Sequence, residues 1–161
     1  MGRIVGGIMA LAVAGLLAPP AVAQSPEVLP RWMSISAGKA RMRTGPGRQF
    51  PATWLYQRAG LPVRVIESYP AWRRVTDPDG ETGWVMAALL SDRRTAIVVG
   101  GVRPLHRQPG RGSPVTFQVE ASVVGAVSKC TAGWCYFDVN GRGGFIEVGN
   151  LWGVAPGEVV D

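Results

Sequence analysis

Short apolar and β-branched stretches, separated by turns that contain glycine or proline, make up most of the chain. Residues 63–66 (VRVI), 73–76 (RRVT) and 82–85 (TGWV) are such stretches. Residues 77–80 (DPDG) lie between the second and the third, where Pro presets φ, Asp accepts hydrogen bonds within its own turn and Gly adopts a positive φ. The pattern predicts an antiparallel hairpin of short strands.

A second region repeats this pattern further along the chain. Residues 126–129 and 134–139 are predicted strands, and the turn Asn140-Gly141 precedes a third strand at 144–146. About five strands in about sixty residues are typical of a small β-barrel. Residues 86–90 (MAALL) favour a single helical or 3₁₀ turn that closes the first barrel.

Three motifs of the first region recur in the same order in the second, which indicates a duplication. Pro-Gly-Arg-x-x-Pro occurs within residues 44–51 and again within 107–114, at an offset of 63 residues. Trp72 matches Trp134 at an offset of 62, and Gly83-Trp84-Val85 matches a Gly-Phe-Ile sequence at an offset of 61. The offset falls by one residue from each motif to the next, as expected for two copies of one structural unit whose loops differ in length.

The composition agrees with two small, turn-rich units. Of 161 residues, 22 are Gly and 13 are Pro, and only 17% are charged, which excludes coiled coils and helical bundles. A hydrophobic fraction of 47% with six Trp excludes a disordered chain. We therefore predict an all-β protein of two tandem small barrels, at residues 35–95 and 96–157.

The first 23 residues have the features of a secretory signal peptide. Arg3 precedes an apolar run at residues 4–18, and Ala21-Val22-Ala23 is a small-x-small cleavage site. An uncleaved membrane anchor is the alternative, but a run of fifteen residues is shorter than the roughly 20 that a bilayer requires. We expect cleavage near Ala23 and a mature protein without a transmembrane anchor, either periplasmic or secreted.

The two cysteines, Cys130 and Cys135, are placed to form a disulfide across a hairpin. If the chain turns at Ala132-Gly133, the cysteines become a non-hydrogen-bonded pair with Cα atoms roughly 4.5 to 5.5 Å apart. Export supplies an oxidising compartment, so we predict a structural disulfide. A redox pair is the alternative, but such pairs usually have two intervening residues and a βαβ context. A metal site is disfavoured because the chain has one His and two Cys.

Positive charge is concentrated in the first half of the chain. Residues 24–95 hold 11 basic and 6 acidic side chains, whereas residues 96–161 hold five of each. Lys39, Arg41 and Arg43 alternate along an extended segment and therefore lie on one face of a strand, with Arg48 in the adjoining loop. Two interpretations stay open: an edge strand protected by charge, or an anion-binding site.

Aromatic residues lie close to these cations in the sequence. They are Phe50, Trp54, Tyr56, Tyr69 and Trp72. We expect most of them in the core of so small a barrel, with one or two lining a groove that grips an extended peptide or glycan. The candidate ligand-binding residues are Arg41, Arg43, Arg48, Trp54, Tyr56 and Trp72.

The motifs of the first region resemble those of the bacterial SH3-like domain family. The ordered set is Met42-Arg43-x-Gly45-Pro46, Trp72-x-x-Val75 and Gly83-Trp84-Val85 with a following leucine. Other strings, such as Cys130-x-x-Gly133-Trp134-Cys135, are similar to an exported two-copy subgroup. The resemblance implies two small β-barrels and a binding role, often at the cell wall, with no family-wide catalytic residues. The second copy departs from the pattern at Phe145, where Trp is usual, and at Leu105-His106-Arg107.

Few residues of the chain are candidates for a catalytic role. His106 is the only His, so any Cys-His or Ser-His mechanism has to use it. Asp77, Asp79 and Glu81 are carboxylates at hairpin spacing, which favours a solvated turn over a pair of catalytic carboxylates or a calcium site. We therefore expect no catalytic residues, no cofactor and no metal.

Three functions fit these observations. The favoured one is a non-catalytic extracytoplasmic binding module that recognises a peptidoglycan peptide or glycan, or an envelope protein. The first alternative is an electrostatic binder of polyanions or nucleic acid, which the basic first half supports and export disfavours. The second is a structural or inhibitory subunit that docks on a larger envelope protein.

Overall fold

The protein is all-β and consists of two seven-stranded antiparallel sheets. The computed structural model describes Gly2 and residues 27–160, so the predicted signal peptide, apart from Gly2, lies outside the described residues. The predicted fold class, with two tandem small barrels, is confirmed, while the predicted limits at 35–95 and 96–157 stay predictions. Within the described residues, no helix is long and apolar enough to cross a membrane.

Seven strands form the first barrel. A one-turn 3₁₀ helix, Ala87–Leu89, lies where residues 86–90 predicted such a turn, and it leads into the last strand. The strands predicted at 63–66, 73–76 and 82–85 fall within the fourth, fifth and sixth strands. In chain order the strands are β1 (Arg31–Ile35), β2 (Ala40–Arg43), β3 (Ala52–Tyr56), β4 (Pro62–Tyr69), β5 (Trp72–Thr76), β6 (Thr82–Met86) and β7 (Leu90–Ser91).

The second barrel also has seven strands and a 3₁₀ turn, Val148–Asn150, before the last of them. The predicted turn at Asn140-Gly141 is present and has positive φ at both residues, 53° and 82°. In chain order the strands are β8 (Thr95–Val98), β9 (Arg103–His106), β10 (Val115–Val119), β11 (Val124–Thr131), β12 (Trp134–Val139), β13 (Arg142–Glu147) and β14 (Leu151–Trp152).

The two sheets have the same strand order. It is β3-β2-β6-β5-β4-β1-β7 in the first barrel and β10-β9-β13-β12-β11-β8-β14 in the second. In each barrel the first strand pairs with the last, as Ile35 with Leu90 and Val98 with Leu151. The duplication inferred from three sequence motifs therefore extends to every strand.

Each barrel has its own hydrophobic core, and aliphatic side chains fill most of the first one. Val63, Val65, Val75 and Val85 are completely buried there. The expectation that most of the nearby aromatic residues are core was wrong. Tyr56 and Trp72 are buried, whereas Phe50, Trp54 and Tyr69 are exposed. Trp54 is exposed because β3 is an edge strand of the sheet, and four of the five residues of β3 are exposed.

The turn between β5 and β6 is built around a buried carboxylate. Oδ1 of Asp77 accepts hydrogen bonds from the backbone N–H groups of Asp79 and Glu81, at 3.0 and 2.9 Å. Gly80 adopts the predicted positive φ, 89°. The segment is a turn, as predicted. The prediction that its carboxylates are solvated is wrong for Asp77, which is only 3% exposed. Tyr56 covers it and donates a hydrogen bond to Oδ2, at 2.9 Å.

The predicted disulfide between Cys130 and Cys135 is confirmed. Its hairpin turns at Ala132 and Gly133, which both have positive φ, and Thr131 pairs with Trp134 as the last pair before the turn. The Cα atoms of the two cysteines are 4.0 Å apart, closer than expected. Both side chains are buried in the second core.

Residues 92–94 connect the barrels and are bonded to both. The hydroxyl of Ser34 in β1 donates to the carbonyl of Arg93, at 2.8 Å, and the backbone N–H of Val127 in β11 donates to the carbonyl of Arg94, at 3.1 Å. The rings of Trp32 and Trp152 meet edge to face with centroids 4.7 Å apart. The connection is therefore short and well anchored.

Candidate functional site

The β2 strand directs its basic side chains outward. Ala40 and Met42 are buried in the core, and Arg41 and Arg43 alternate with them on the opposite face. Lys39 immediately precedes the strand and is exposed. Since β2 lies between β3 and β6, it is not an edge strand, and the interpretation of these cations as edge protection was wrong.

The loop that follows β2 brings Arg48 to the same face. Its backbone is compact, with hydrogen bonds from Thr44 N–H to Pro51 O (3.1 Å) and from Phe50 N–H to Gly47 O (3.3 Å). The guanidinium of Arg43 donates to the carbonyl of Phe50 at 2.6 Å, which ties the loop to the strand.

A pocket of about 480 Å³ lies among these cations. Its apolar part includes Trp72, the first residue of β5, and Met86, which is the partner of Trp72 on β6. Within residues 27–160, none of its four basic side chains forms an ion pair, so their charges are available to a ligand. The pocket is lined by Lys39, Arg41, Arg43, Arg48, Leu55, Trp72, Met86 and Leu89.

A shallower concavity of about 320 Å³ continues the pocket across the edge strand. It contains Trp54, a residue that is 54% exposed, together with Ala52 and Thr53. Arg41 and Leu55 line both hollows and therefore join them.

The structure brings together five of the six candidate ligand-binding residues and separates Tyr56 from them. Arg41, Arg43, Arg48 and Trp72 line the pocket, and Trp54 lies in the concavity beside it. Tyr56 points into the core, where burial and then the hydrogen bond to Asp77 raise the pKa of its hydroxyl far above the usual value. The ring of Tyr56 is therefore not on this surface.

Sequence reasoning missed the apolar side of the pocket. Leu55, Met86 and Leu89 were not among the candidates. A signal for Met86 was present, because the turn at 77–80 sets the register of β5 against β6 and so places Met86 opposite Trp72.

The second barrel has a smaller hollow, of about 270 Å³, at the equivalent place. By the strand register, Pro104 replaces Arg41, His106 replaces Arg43 and Glu147 replaces Met86. Arg111, the counterpart of Arg48, is paired with Glu147 through two contacts, Nε to Oε1 at 2.5 Å and Nη2 to Oε2 at 3.1 Å.

The carboxylate of Glu147 is held by the cations around it. The hydrogen bond from Arg111 lowers its pKa most, partial burial opposes this, and the charges of His106 and Arg103 lower it further. The ring of His106 lies edge to face with Trp134 at 5.5 Å, and its Nδ1 is 2.7 Å from the carbonyl of Ser113. This hollow is thus occupied by the protein's own ion pair.

Metal ligands are not assembled in the described part of the chain. No group of three or more His, Cys, Asp or Glu side chains is placed there to hold an ion. The cysteines are both in the disulfide.

Two tandem barrels with the same strand order, each with a hollow beside the tryptophan of its fifth strand, define the class of SH3-like tandem-barrel proteins. The sequence model of the bacterial SH3 domain matches residues 36–92 and 100–153. The chain belongs to the bacterial SH3 domain family, as its motifs predicted.

Comparison with solved structures gives distant similarities. NlpC1 from Trichomonas vaginalis is 13% identical, with a TM-score of 0.36, over 80% of this chain and 48% of that one. NlpC2 from the same organism is also 13% identical, with a TM-score of 0.35, over 76% of this chain and 48% of that one. This chain thus spans about half the length of either protein. No curated protein matches it.

Proposed function

We propose that this protein is a non-catalytic, extracytoplasmic binding module and that the first barrel binds a carboxylate-bearing peptide of the cell wall. The observation that carries the proposal is the pocket in which four basic side chains, without an ionic partner among residues 27–160, surround an apolar wall. Membership of the bacterial SH3 domain family and a disulfide support a place outside the cytoplasm.

The chemistry of the pocket favours a ligand with both anionic and aliphatic parts. Arginine guanidinium groups bind carboxylates through paired, charge-assisted hydrogen bonds. Leu55, Met86 and Leu89 offer apolar contacts to short aliphatic side chains between the carboxylates. A peptidoglycan stem peptide combines these groups, and Trp54, in the adjoining concavity, is available to pack against an attached sugar.

We propose a non-catalytic role because of where the potentially reactive side chains lie. Both thiols are consumed by the disulfide. His106, the only His of the chain, is buried, and no free thiol remains to pair with it in a Cys-His mechanism. No cofactor is part of the proposed function.

Co-sedimentation of the mature chain, residues 24–161, with purified sacculi at low and high salt tests the proposal. We expect the protein to pellet at both salt concentrations, because apolar contacts in the pocket persist when salt screens the charges. Arg41→Ala should reduce the pelleted fraction, whereas Arg58→Ala, which removes an exposed cation outside the pocket, should leave it unchanged.

Three results would contradict the proposal in different ways. Pelleting that disappears at high salt and weakens equally in both variants would indicate an electrostatic polyanion binder. No pelleting at either salt concentration would reject the cell wall as the ligand and point to an envelope protein. Hydrolysis of the sacculi by the purified chain would reject the non-catalytic role.

A further inference from the structure

The hollow of the second barrel has most of the parts of an anion site, but its arginine is already occupied. Arg111 occupies the place of Arg48, and Trp134 that of Trp72. The carboxylate of Glu147 reaches Arg111 through two guanidinium nitrogens, which is the geometry in which arginine binds an external carboxylate.

We propose that the second barrel contains a masked carboxylate-binding site, formed by Arg111, His106 and Trp134, in which the side chain of Glu147 occupies the place of a ligand carboxylate. The class of ligand is the same as that proposed for the first barrel, and to this extent the inference rests on the proposed function.

The first barrel shows what the site is like without such an internal occupant. Its counterpart of Glu147 is Met86, which carries no charge, and Arg48 has no ionic partner within residues 27–160. One position on the sixth strand of each barrel therefore decides whether a carboxylate of the chain itself pairs with this arginine. This residue is Met86 on β6 and Glu147 on β13.

The masking carboxylate is attached to the same chain, so its local concentration is high and a free carboxylate competes poorly with it. The pair is nevertheless near the surface. The side chain of Arg111 is 84% exposed, so a carboxylate from solution can reach the guanidinium once Glu147 no longer pairs with it. Removal of the charge at position 147 should thus open the site without disturbing the core.

The test is a titration of the full mature chain with glutarate, a small dicarboxylate, followed by NMR. The indole N–H of Trp134 and the guanidinium Nε–H of Arg111 report the second barrel, and the indole N–H of Trp72 reports the first. In Glu147→Gln, we expect both second-barrel signals to shift with an apparent dissociation constant at least about tenfold lower than in the unaltered protein.

Matched variants separate unmasking from a general change of charge. Glu120→Gln removes an exposed carboxylate elsewhere on the second barrel and should behave as the unaltered protein. Addition of Arg111→Ala to Glu147→Gln should abolish the response of Trp134. The uncharged dimethyl ester of glutarate should shift none of these signals.

The proposal is overturned if Trp134 and Arg111 respond to glutarate equally with and without Glu147→Gln, or respond in neither protein. The result for Trp72 is independent. If Trp72 does not shift while Trp134 shifts in Glu147→Gln, the masked site exists and the anion-binding role of the first barrel fails.

Discussion

The two barrels share a strand order and a tryptophan at the start of the fifth strand, yet their hollows have different chemistry. In the first, Lys39, Arg41, Arg43 and Arg48 face an apolar wall without an acidic partner among the described residues. In the second, proline and histidine replace two of these arginines, and an Arg–Glu pair closes the space. The backbone preserves the hollow, while a few outward-facing strand positions decide what it can hold.

The largest difference in stability between the barrels should come from the centre of their cores. Phe137 of the second barrel occupies the place of Val75 in the first, and both are completely buried. Phe137→Ala should lower the free energy of unfolding of the second barrel by about 3 to 5 kcal/mol, against about 2 kcal/mol in the first barrel for Val75→Ala. Urea unfolding followed at the indole signals of Trp84 and Trp134 reports each barrel separately. Equal losses of unfolding free energy in the two variants would contradict the expected difference between the cores.

The disulfide should stabilise only the second barrel. Its loop is short, so replacement of Cys130 and Cys135 by Ala should cost about 2 kcal/mol there by the chain-entropy estimate. The first barrel, which contains no cysteine, should unfold at the same urea concentration as before. A parallel loss in the first barrel would mean that the barrels unfold as one unit, and the comparison between them would need revision.

The reverse of the unmasking experiment should close the first barrel. Met86→Glu places a carboxylate opposite Trp72, where it can pair with Arg48 as Glu147 pairs with Arg111. We expect the affinity of the first barrel for glutarate to fall at least about tenfold, which corresponds to about 1.4 kcal/mol. Met86→Gln, with the same shape and no charge, is the control, and an equal loss in both variants would assign the effect to the missing methionine side chain.

The smallest effect concerns the Tyr56–Asp77 hydrogen bond, which the second barrel lacks because Val119 occupies the position of Tyr56. Tyr56→Phe should lower the free energy of unfolding of the first barrel by about 1 kcal/mol at neutral pH.

The same pair makes the first barrel sensitive to alkali. The folded state raises the pKa of Tyr56, so its contribution is fully present below the unfolded pKa of about 10 and is lost as the pH rises above that value. Urea unfolding at pH 8 and at pH 10.5 should show a loss that is larger in the unaltered protein than in Tyr56→Phe. An identical loss in both would remove Tyr56 as its cause.

Most of the fold could be predicted from the repeated sequence motifs and from the turn sequences. Asp77-Pro78-Asp79-Gly80 and Asn140-Gly141 are turn sequences with defined backbone geometry, and each sets the register of the strands beside it. The Cys130–Cys135 bond followed from the same kind of argument, because a two-residue turn leaves few choices for the pair outside it.

The burial of aromatic residues could not be predicted in this way. The alternation rule assumes that one face of a strand meets the core, but β3 is an edge strand that exposes Trp54 and Leu55 together. Conversely, Tyr56 carries a polar hydroxyl and is buried, because Asp77 from a distant turn accepts its hydrogen bond. The exposure of Trp54 and the burial of Tyr56 both depend on which strands become neighbours. The closure of the barrel decides this, and no local stretch of sequence shows it.

The pairing of β1 with β7 and of β8 with β14 has an evolutionary consequence. In each barrel the chain leaves beside the place where it arrived, so a complete barrel can be inserted or deleted at one point without rerouting a strand. A gene segment that encodes such a unit can be copied in tandem and give two folded products at once. Selection could then alter the hollow of one copy while the other kept its own.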